Sequence, residues 1–259
     1  MCGRYAATKD PALLAAEFDA VDATEGAGPG PDYNIAPTKP VFAVVERHPR
    51  DAEGNADPST TERSVRVMRW GLVPHWAKDL SGGAKMINAR SESVLEKPAY
   101  KDSATRRRCL LPADGWYEWQ PGEGRKQPYF IHPADGSGLA MAGIWSVWWQ
   151  RDKDADGAEE TKPVITCAVL TTDAIGEMSA VHHRMPLLLP RDRWTAWLDP
   201  DSADIGELLA PPAPALVSAL ELRPVSLAVN SVRNNSPQLV EPVSLTPAEE
   251  PAPTLFELS

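Results

Sequence analysis

The feature that most restricts the fold of this chain is a series of segments rich in β-branched and aromatic residues, which favour β-strands. These segments cover residues 41–45, 64–70, 129–132, 139–149 and 164–170. Two other segments, residues 11–18 and 191–198, have apolar residues at helical spacing. Because strands and helices do not alternate regularly, we predict an α+β fold: a single domain around a largely antiparallel, barrel-like β-sheet with peripheral helices.

Three segments rich in Gly, Pro, Asp and Glu interrupt this pattern, and we predict that they form solvated loops. They cover residues 22–32, 50–63 and 151–161. After Pro242 the chain contains three further prolines among acidic residues, a composition typical of a flexible tail. We therefore expect residues 243–259 to lie outside the folded domain.

The charge of the chain limits the kind of nucleic-acid site that it can have. It carries 26 Lys and Arg residues against 36 Asp and Glu residues, a formal net charge of −10. This composition argues against a protein that coats nucleic acid through its bulk charge. Any DNA-binding site must therefore be a local cluster of basic side chains.

The three cysteines, Cys2, Cys109 and Cys167, are widely spaced, with neither a CxxC pair nor a histidine at metal-ligand spacing. We expect neither a disulfide framework nor a structural metal site. The longest apolar segment, residues 139–149, is shorter than the roughly 20 residues of a membrane span. No apolar signal region follows the start of the chain. These features predict a soluble cytoplasmic protein with no membrane association.

Cys2 becomes the N-terminal residue when Met1 is removed, a step that the small residues Cys2 and Gly3 favour sterically. An N-terminal cysteine has an amine with a pKa of about 7.7–8.0 and a thiol with a pKa of about 8.5. Since only two carbons separate these nucleophiles, an aldehyde captured by the amine as a Schiff base can be closed by the thiol into a five-membered thiazolidine. That ring resists hydrolysis better than an imine.

Two other interpretations of Cys2 stay open from this residue alone. Chain termini are usually frayed, so the position can be incidental. The glutaminase domains of N-terminal-nucleophile amidohydrolases also begin Met-Cys-Gly, and there the thiol attacks an amide with the amine as its base. This chain resembles them only in those first residues, and it contains no Asn-Gly dipeptide of the kind that supplies their oxyanion contact.

Six motifs occur along the chain in one order. They are Met1-Cys-Gly-Arg4, Asn34-Ile-Ala-Pro-Thr38, Arg69-Trp-Gly-Leu-Val-Pro-His-Trp76, Ile87-Asn-Ala-Arg-Ser-Glu92, Arg108-Cys-Leu-Leu-Pro with Asp114-Gly-Trp-Tyr-Glu-Trp119, and His182-His-Arg-Met-Pro186. This series resembles the SOS-response-associated peptidase (SRAP) family, which senses abasic sites in single-stranded DNA. The segments Pro224-Val-Ser and Val229-Asn-Ser-Val-Arg-Asn also look like the family's closing segment. The resemblance implies an SRAP domain over residues 2–242.

The resemblance implies a DNA-repair protein that binds an abasic site in single-stranded DNA and crosslinks to it through Cys2 as a thiazolidine, which shields the lesion. It implies no metal and no organic cofactor. β-Elimination from the Schiff base would add AP-lyase activity, and the removal of Met1 can be self-catalysed. The alternatives are a glutaminase-like amidohydrolase and a non-covalent single-stranded DNA-binding module. We expect a monomer that associates with the nucleoid when it is bound to DNA.

Carried over by motif, the family's nucleophile falls on Cys2, its orienting asparagine on Asn88 and its acid/base glutamate on Glu118. The pattern His-X-Arg-Met-Pro places its histidine on His182. His182 can exchange protons at neutral pH and is the candidate for opening the sugar ring. Glu118 lies among aromatic residues, so desolvation can raise its pKa into the range useful for expelling water from the Schiff-base precursor. Asn88 would hold the amine and the sugar in register.

An arginine follows three of these groups by two positions: Arg4, Arg90 and Arg184. Positions i and i+2 of an extended backbone face the same side, so we expect three guanidinium groups to converge around the sugar. Arginine binds phosphate bidentately. The three residues would then form the local basic cluster that an acidic DNA-binding protein needs.

Single-stranded DNA also requires aromatic or apolar platforms for its bases. Trp76 is the candidate platform, with Pro37 beside it, whereas we expect Trp70 to lie in the core. Thr171, at the end of a predicted strand, is expected to add a hydrogen bond at the site.

Overall fold

The structure is a computed structural model that describes residues 2–122, 124–153 and 159–245. Its strands are β1 (Tyr5–Ala7), β2 (Val21–Asp22), β3 (Asp32–Ile35), β4 (Pro40–Arg47), β5 (Glu62–Trp70), β6 (Asn88–Arg90), β7 (Arg108–Ala113), β8 (Gly115–Gln120), β9 (Gln127–Pro133), β10 (Leu139–Lys153), β11 (Glu159–Asp173), β12 (Arg184–Pro186) and β13 (Leu220–Pro224). Its α-helices are α1 (Pro11–Phe18), α2 (Lys101–Arg106), α3 (Trp194–Leu198) and α4 (Pro214–Ser218). From position 246 onward, the predicted tail lies outside the described residues.

Five strands form a closed barrel in the order β11, β10, β7, β4 and β5, and β5 closes it by pairing with β11. Four of these contacts are antiparallel, and the closing contact, which joins Trp70 to Cys167, is parallel. The hairpin of β10 and β11 forms the longest ladder, starting from the pair Gly143 and Val169. The predicted α+β fold with a largely antiparallel, barrel-like sheet is confirmed.

Alternate residues of the barrel strands point inward and form the main hydrophobic core. These inward residues include Val41, Met68, Trp70, Leu111, Met141 and Cys167. Trp70 is completely buried, as predicted. The outward residues pack beneath α1 and α3, where the ring of Phe18 stacks on that of Trp194 at 4.3 Å. The barrel is therefore filled on the inside and covered by helices on the outside.

A second sheet, in the order β13, β9, β8, β1 and β3, packs against one end of the barrel. Its residues Tyr5, Trp116 and Ile131 belong to the same hydrophobic cluster as the barrel interior. Tyr5 meets Trp70 edge to face, with ring centroids 5.1 Å apart. Because β1 begins at Tyr5, the first residues of the chain lie at this end of the barrel.

The two ends of the barrel differ in chemistry and are named here by the residues that bound them. The proximal mouth is the end at which β4 begins and β5 and β7 end, at Pro40, Trp70 and Ala113. The distal mouth is the opposite end of the same strands, at Arg47, Glu62 and Arg108.

Two predicted segments differ from the structure at their ends. Residues 11–18 form a helix as predicted, but residues 191–198 begin as a 3-10 turn, Arg191–Arg193, before α3. The predicted loop at residues 151–161 is wrong at both ends, because the β10–β11 ladder continues through the pair Arg151 and Thr161. The polar residues fit there since the hairpin extends beyond the core into solvent. The centre of that loop, residues 154–158, lies outside the described residues.

Cys2, Cys109 and Cys167 are all free and buried. Among residues 2–122, 124–153 and 159–245, no helix is long and apolar enough to cross a membrane. Within the same described ranges, no group of three His, Cys, Asp or Glu side chains could hold a metal ion.

Gly115, at the start of β8, lies too close to β9 to accept a side chain. A Cβ atom there would stand 2.5 Å from the backbone oxygen of Ile131, a contact that would force the two strands apart. We expect Gly115→Ala to lower the free energy of unfolding by about 1–3 kcal/mol, the range for overpacked sites, as measured by urea unfolding. Gly30→Ala is the control, because no atom lies within 4 Å of its Cβ position. Equal losses in both variants would contradict this account.

Candidate active site

Cys2 lies at the proximal mouth and is completely buried. The segment that carries it continues β1 along β8, since the Tyr117 N–H donates to the Arg4 carbonyl oxygen at 2.9 Å. In the register of these antiparallel strands, Cys2 therefore lies next to the part of β8 that contains Glu118. From β6, Asn88 Nδ2 donates to the Cys2 carbonyl oxygen at 2.7 Å. The structure thus brings Cys2, Asn88 and Glu118 together.

Burial changes the acid strength of both Cys2 and Glu118. It raises the pKa of Glu118, which is 3% exposed, to about 7. Burial also raises the pKa of the Cys2 thiol, and the negative charge of Glu118 raises it further. At neutral pH the thiol is therefore protonated, whereas Glu118 is close to its midpoint and can either donate or accept a proton.

Asn88 is held in place by the barrel. Its strand β6 pairs in parallel with β11, where Val169 lies opposite Asn88. The Tyr100 hydroxyl donates to the Asn88 carbonyl oxygen at 3.3 Å. Asn88 Oδ1 is buried and has no hydrogen-bond partner among the described residues. Because buried amide oxygens are normally paired, this atom is an acceptor available to an amine or a hydroxyl group of a ligand.

His182 precedes β12 in a loop next to the end of β8. Gln120 Nε2 donates to the Ala180 carbonyl oxygen at 3.1 Å, which ties this loop to the strand that carries Glu118. His182 Nδ1 faces two backbone groups of Arg184: it accepts from the N–H at 2.9 Å when the ring is neutral, and it can donate to the carbonyl oxygen at 3.2 Å when the ring is protonated. Burial lowers the pKa of His182, which favours the neutral form at neutral pH.

Protein acceptors bind two of the three predicted guanidinium groups, those of Arg4 and Arg184. Arg184 is 5% exposed, and its guanidinium donates to Glu92 Oε1 at 2.8 Å and to Asp173 Oδ1 at 2.6 Å. It also donates to the carbonyl oxygen of Thr171 at 2.6 Å, and Thr171 is itself buried. His182 lies in the loop between the 3-10 turn Gly176–Ala180 and β12, so the argument from positions i and i+2, which requires a strand, does not apply to this pair.

Arg4 and Arg90 differ in how free their guanidinium groups are. Arg4 Nη1 donates to Asn34 Oδ1 at 2.7 Å and to the Val229 carbonyl oxygen at 2.9 Å. The Arg4 guanidinium also lies 5.9 Å from the ring centroid of Trp119. Arg90 is exposed and makes no hydrogen bond or ion pair within the described part of the chain. Arg90 can therefore bind a phosphate group without first losing a protein partner.

Trp76, the predicted base platform, lies on the surface of the protein. It is 63% exposed and lines a groove of about 500 Å³ together with Trp149. Trp149 pairs with Pro163, six positions before Val169 in β11, so Trp149 lies ~20 Å along that strand from the residue opposite Asn88. The role of Trp76 as a base platform stays a prediction.

Pro37 lies at the proximal mouth, in the turn that leads into β4. The Lys39 N–H donates to the Ala36 carbonyl oxygen at 3.3 Å, and the Thr38 N–H donates to the Trp70 carbonyl oxygen at 2.8 Å. Thr38 has a φ of 74°, a left-handed conformation that costs a β-branched residue on the order of 1–3 kcal/mol. Tertiary hydrogen bonds therefore hold this turn beside the mouth, although a threonine disfavours the left-handed conformation.

Two residues outside the predicted set, Asn34 and Glu92, hold the site together. Asn34 is completely buried, and its Nδ2 donates to the carbonyl oxygens of Ser231 at 3.0 Å and Asn234 at 2.9 Å. Glu92 forms the ion pair with Arg184. Asn34 and Glu92 both lie within the six motifs, and this position was the only indication in the sequence that they belong to the site. Their partners are 200 and 92 positions away in the chain, so only the fold reveals these roles.

The raised pKa of Glu118 has a measurable effect on stability. Folding raises this pKa from 4.5 to about 7, so the ionised carboxylate destabilises the folded state as the pH rises through that window. Glu118→Gln cannot ionise. We expect its free energy of unfolding, relative to that of the parent, to increase by up to about 3 kcal/mol between about pH 4 and about pH 8. Urea unfolding at both pH values measures the change.

The exposed Glu96 provides the control, because Glu96→Gln makes the same substitution at a carboxylate that is not buried. A stability difference between Glu118→Gln and the parent that is the same at both pH values would show that burial does not raise the pKa of Glu118.

Comparison with known proteins gives this arrangement a family context. The model of the SOS response associated peptidase (SRAP) family matches residues 1–232. The chain is 32% identical over 242 residues to the abasic site processing protein YoqW of Bacillus subtilis, which covers 93% of this chain and 99% of that protein. It is 35% identical over 241 residues to the abasic site processing protein HMCES of Gallus gallus, which covers 83% and 67% of the two chains.

Solved structures share the fold. A protein from Bacteroides thetaiotaomicron matches with a TM-score of 0.72 at 22% identity, covering 94% of this chain and 100% of that chain. A phage-related protein from Bordetella bronchiseptica matches with a TM-score of 0.56 at 31% identity, covering 86% and 94%. The match over residues 1–232 and the similarity to YoqW and HMCES show that this chain belongs to the SOS response associated peptidase (SRAP) family.

Proposed function

We propose that this protein processes abasic sites in single-stranded DNA and crosslinks to them through Cys2 after Met1 has been removed. The main support is the hydrogen bond from Asn88 to Cys2 in a buried site where the charge of Glu118 acts on the Cys2 thiol and burial raises the pKa of Glu118 to about 7. The names of YoqW and HMCES, both abasic site processing proteins, support the same function. The glutaminase alternative depended on the first residues alone, and the similarity over most of the chain favours the abasic-site function.

Ring opening is assigned to His182. The closed sugar of an abasic site must open to its aldehyde before an amine can add. Opening requires a proton at the ring oxygen and the loss of the proton on the C1′ hydroxyl. Protonated His182, whose Nδ1 can donate to the Arg184 carbonyl oxygen at 3.2 Å, gives its Nε2 proton to the ring oxygen. Nε2 then accepts the proton of the C1′ hydroxyl, which restores the imidazolium.

Schiff-base formation is assigned to the Cys2 amine and Glu118. The amine adds to the C1′ aldehyde and gives a carbinolamine, which Asn88 Oδ1 can orient because it is a buried acceptor. Protonated Glu118 donates its proton to the carbinolamine hydroxyl, which leaves as water. The products are a protonated imine and the Glu118 carboxylate.

Ring closure uses the carboxylate that the preceding step leaves behind. The Cys2 thiol is protonated at neutral pH because burial raises its pKa. The Glu118 carboxylate accepts the thiol proton, and the sulfur attacks C1′ as a thiolate. The C–N π electrons move to nitrogen, which becomes the neutral amine of a thiazolidine. Glu118 is protonated again, so one group serves as acid and then as base.

Two side reactions belong to the same proposal. Before the thiol closes the ring, the protonated imine can lose a C2′ proton and eliminate the 3′ phosphate, which is an AP-lyase reaction. A site that lowers the cost of proton transfer next to Cys2 can also assist the removal of Met1. Neither reaction requires further residues.

Contacts to the DNA backbone are proposed for the predicted arginines. Arg90 is the first candidate for a phosphate ligand because it is exposed at the proximal mouth. Arg4 could bind DNA while it remains tied to Asn34. Arg184 and Thr171 are buried, so their contribution would be to position the loop of His182. Base contacts by Pro37 and Trp76 stay predictions.

The central test is crosslinking of purified protein without Met1 to a single-stranded oligonucleotide that contains one abasic site. We expect an adduct that survives denaturation. Cys2→Ala should abolish this adduct, because the amine alone forms only a reversible imine that borohydride is needed to trap. Cys167→Ala is the matched control, since this buried cysteine lies in the barrel core.

A stable adduct with Cys2→Ala would exclude the thiazolidine. If the parent binds the oligonucleotide but forms no covalent adduct, the protein is a non-covalent binding module instead. Release of ammonia from glutamine by the parent would favour the amidohydrolase.

The pH dependence of crosslinking tests the role of Glu118. Because its acid form expels water and its carboxylate accepts the thiol proton, we expect the crosslinking rate to peak near pH 7, at the pKa of about 7. Glu118→Gln should lower the rate by about 100-fold or more and remove the peak. Single-turnover crosslinking across the pH range measures both effects. A peak that persists in Glu118→Gln would assign the titration to another group.

A further inference from the structure

The distal mouth of the barrel carries a cluster of arginine side chains that the proposed chemistry does not use. Arg47, Arg66 and Arg107 continue the inward-facing rows of β4, β5 and β7, whose other members form the barrel core. Arg47 lies 5.6 Å from the ring centroid of Trp145, and the Trp145 N–H donates to the Arg107 carbonyl oxygen at 2.8 Å. An arginine therefore follows the apolar residues of each row, and Arg47 lies beside the buried ring of Trp145.

Two exposed arginines complete this cluster. Arg50 and Arg106 line a pocket of about 240 Å³ at the distal mouth together with Arg47 and Arg107. The positive charges of Arg66 and Arg50 add to burial in lowering the pKa of Arg47. The arginines are thus close enough to repel one another.

Acidic side chains neutralise only part of this charge. Within the described part of the chain, Arg107 is paired with Asp102, and Glu62 lies opposite Arg47 in the ladder of β4 and β5. Glu46, which also lines the pocket, is bound by Arg63 at 2.9 Å. A chain with a net charge of −10 nevertheless concentrates five arginines here. Such a concentration is the local positive site that an anionic ligand requires.

Aromatic side chains extend the surface away from the arginine cluster. Trp149 and Arg151 follow Trp145 at alternate positions of β10, so they continue the same face of the strand. Both are exposed, and both line the groove that contains Trp76. Lys78 lines that groove as well. Basic groups interleaved with exposed indoles are typical of surfaces that bind single-stranded nucleic acid.

We propose that the distal mouth and the adjoining groove bind the DNA strand that flanks the abasic site, through its phosphates and its bases respectively. This inference rests on the proposed function. Val41 and Arg47 are six positions apart in β4, so the distal mouth lies ~20 Å from the chemistry at Cys2. A single phosphate group cannot reach both sites, whereas a strand several nucleotides long can. The barrel thus holds the lesion at one end and the flanking strand at the other.

The test compares charge reversal at the distal mouth with the same reversal elsewhere. Arg50→Glu/Arg106→Glu changes two exposed cluster residues, and Arg191→Glu/Arg193→Glu changes two exposed residues on the turn before α3. Fluorescence anisotropy at several salt concentrations measures the binding of a lesion-free single strand. The strand has roughly 30 nucleotides, which exceeds the usual length of a single-stranded binding site. We expect the cluster variant to bind about tenfold more weakly, with a salt slope reduced by about 1.4 for two lost phosphate contacts. The control variant should bind like the parent.

Two further measurements separate this proposal from the proposed function. The first uses an abasic oligonucleotide of about five nucleotides, close to the length of the smallest single-stranded binding sites. Because so short a strand does not reach the distal mouth, the cluster variant should crosslink to it at the rate of the parent, within about twofold. Trp149→Ala should weaken binding of the long strand by about fivefold or more through the lost base stacking.

Equal binding losses in the cluster and control variants, or an unchanged salt slope, would overturn the distal site. So would an equal effect of the cluster substitutions on the short and the long strand. Tighter binding of duplex than of single-stranded DNA would overturn the choice of ligand. If the parent fails to crosslink the short abasic strand, the proposed function fails, whereas the lesion-free binding data still decide whether the distal mouth binds DNA.

Discussion

The parallel contact of β5 with β11 is the interaction on which the rest of the structure depends. It closes the barrel at Trp70 and Cys167 and frees the end of β11 to accept β6 as its next partner. That change of partner carries Asn88 to the proximal mouth, where it reaches the Cys2 carbonyl oxygen. Without closure, the inward rows would be solvated and neither mouth would exist as a defined site.

Desolvation at the closed mouth supplies the chemical properties of the site. The second sheet packs against this end of the barrel, and the resulting burial raises the pKa of Glu118 to about 7. The same burial keeps the Cys2 thiol protonated, so the thiol depends on a neighbouring base. The same burial therefore makes Glu118 an effective proton carrier and makes the Cys2 thiol dependent on a proton carrier.

The barrel is electrostatically divided along its axis. At the proximal mouth, the guanidinium groups of Arg4 and Arg184 are bound by protein acceptors and serve the architecture. At the distal mouth, Arg47, Arg50 and Arg106 are concentrated with little acidic compensation. An acidic protein can therefore meet a polyanion without a large basic surface, provided that the folded strands gather a few arginines at one end.

The amino-acid sequence by itself determined the strand segments and the α1 helix, and it predicted the candidate site residues Cys2, Asn88, Glu118 and His182, because period-2 patterning and motifs are local properties. Only the tertiary structure decided which arginines are free. Arg184 follows His182 by two positions, but His182 lies outside β12, and Glu92 and Asp173 bind the Arg184 guanidinium. Arg47 lies in none of the six motifs, yet barrel closure places it beside Arg66 and Arg107. Burial and long-range pairing set the charge environment of a side chain, and neither can be read from its neighbours in the sequence.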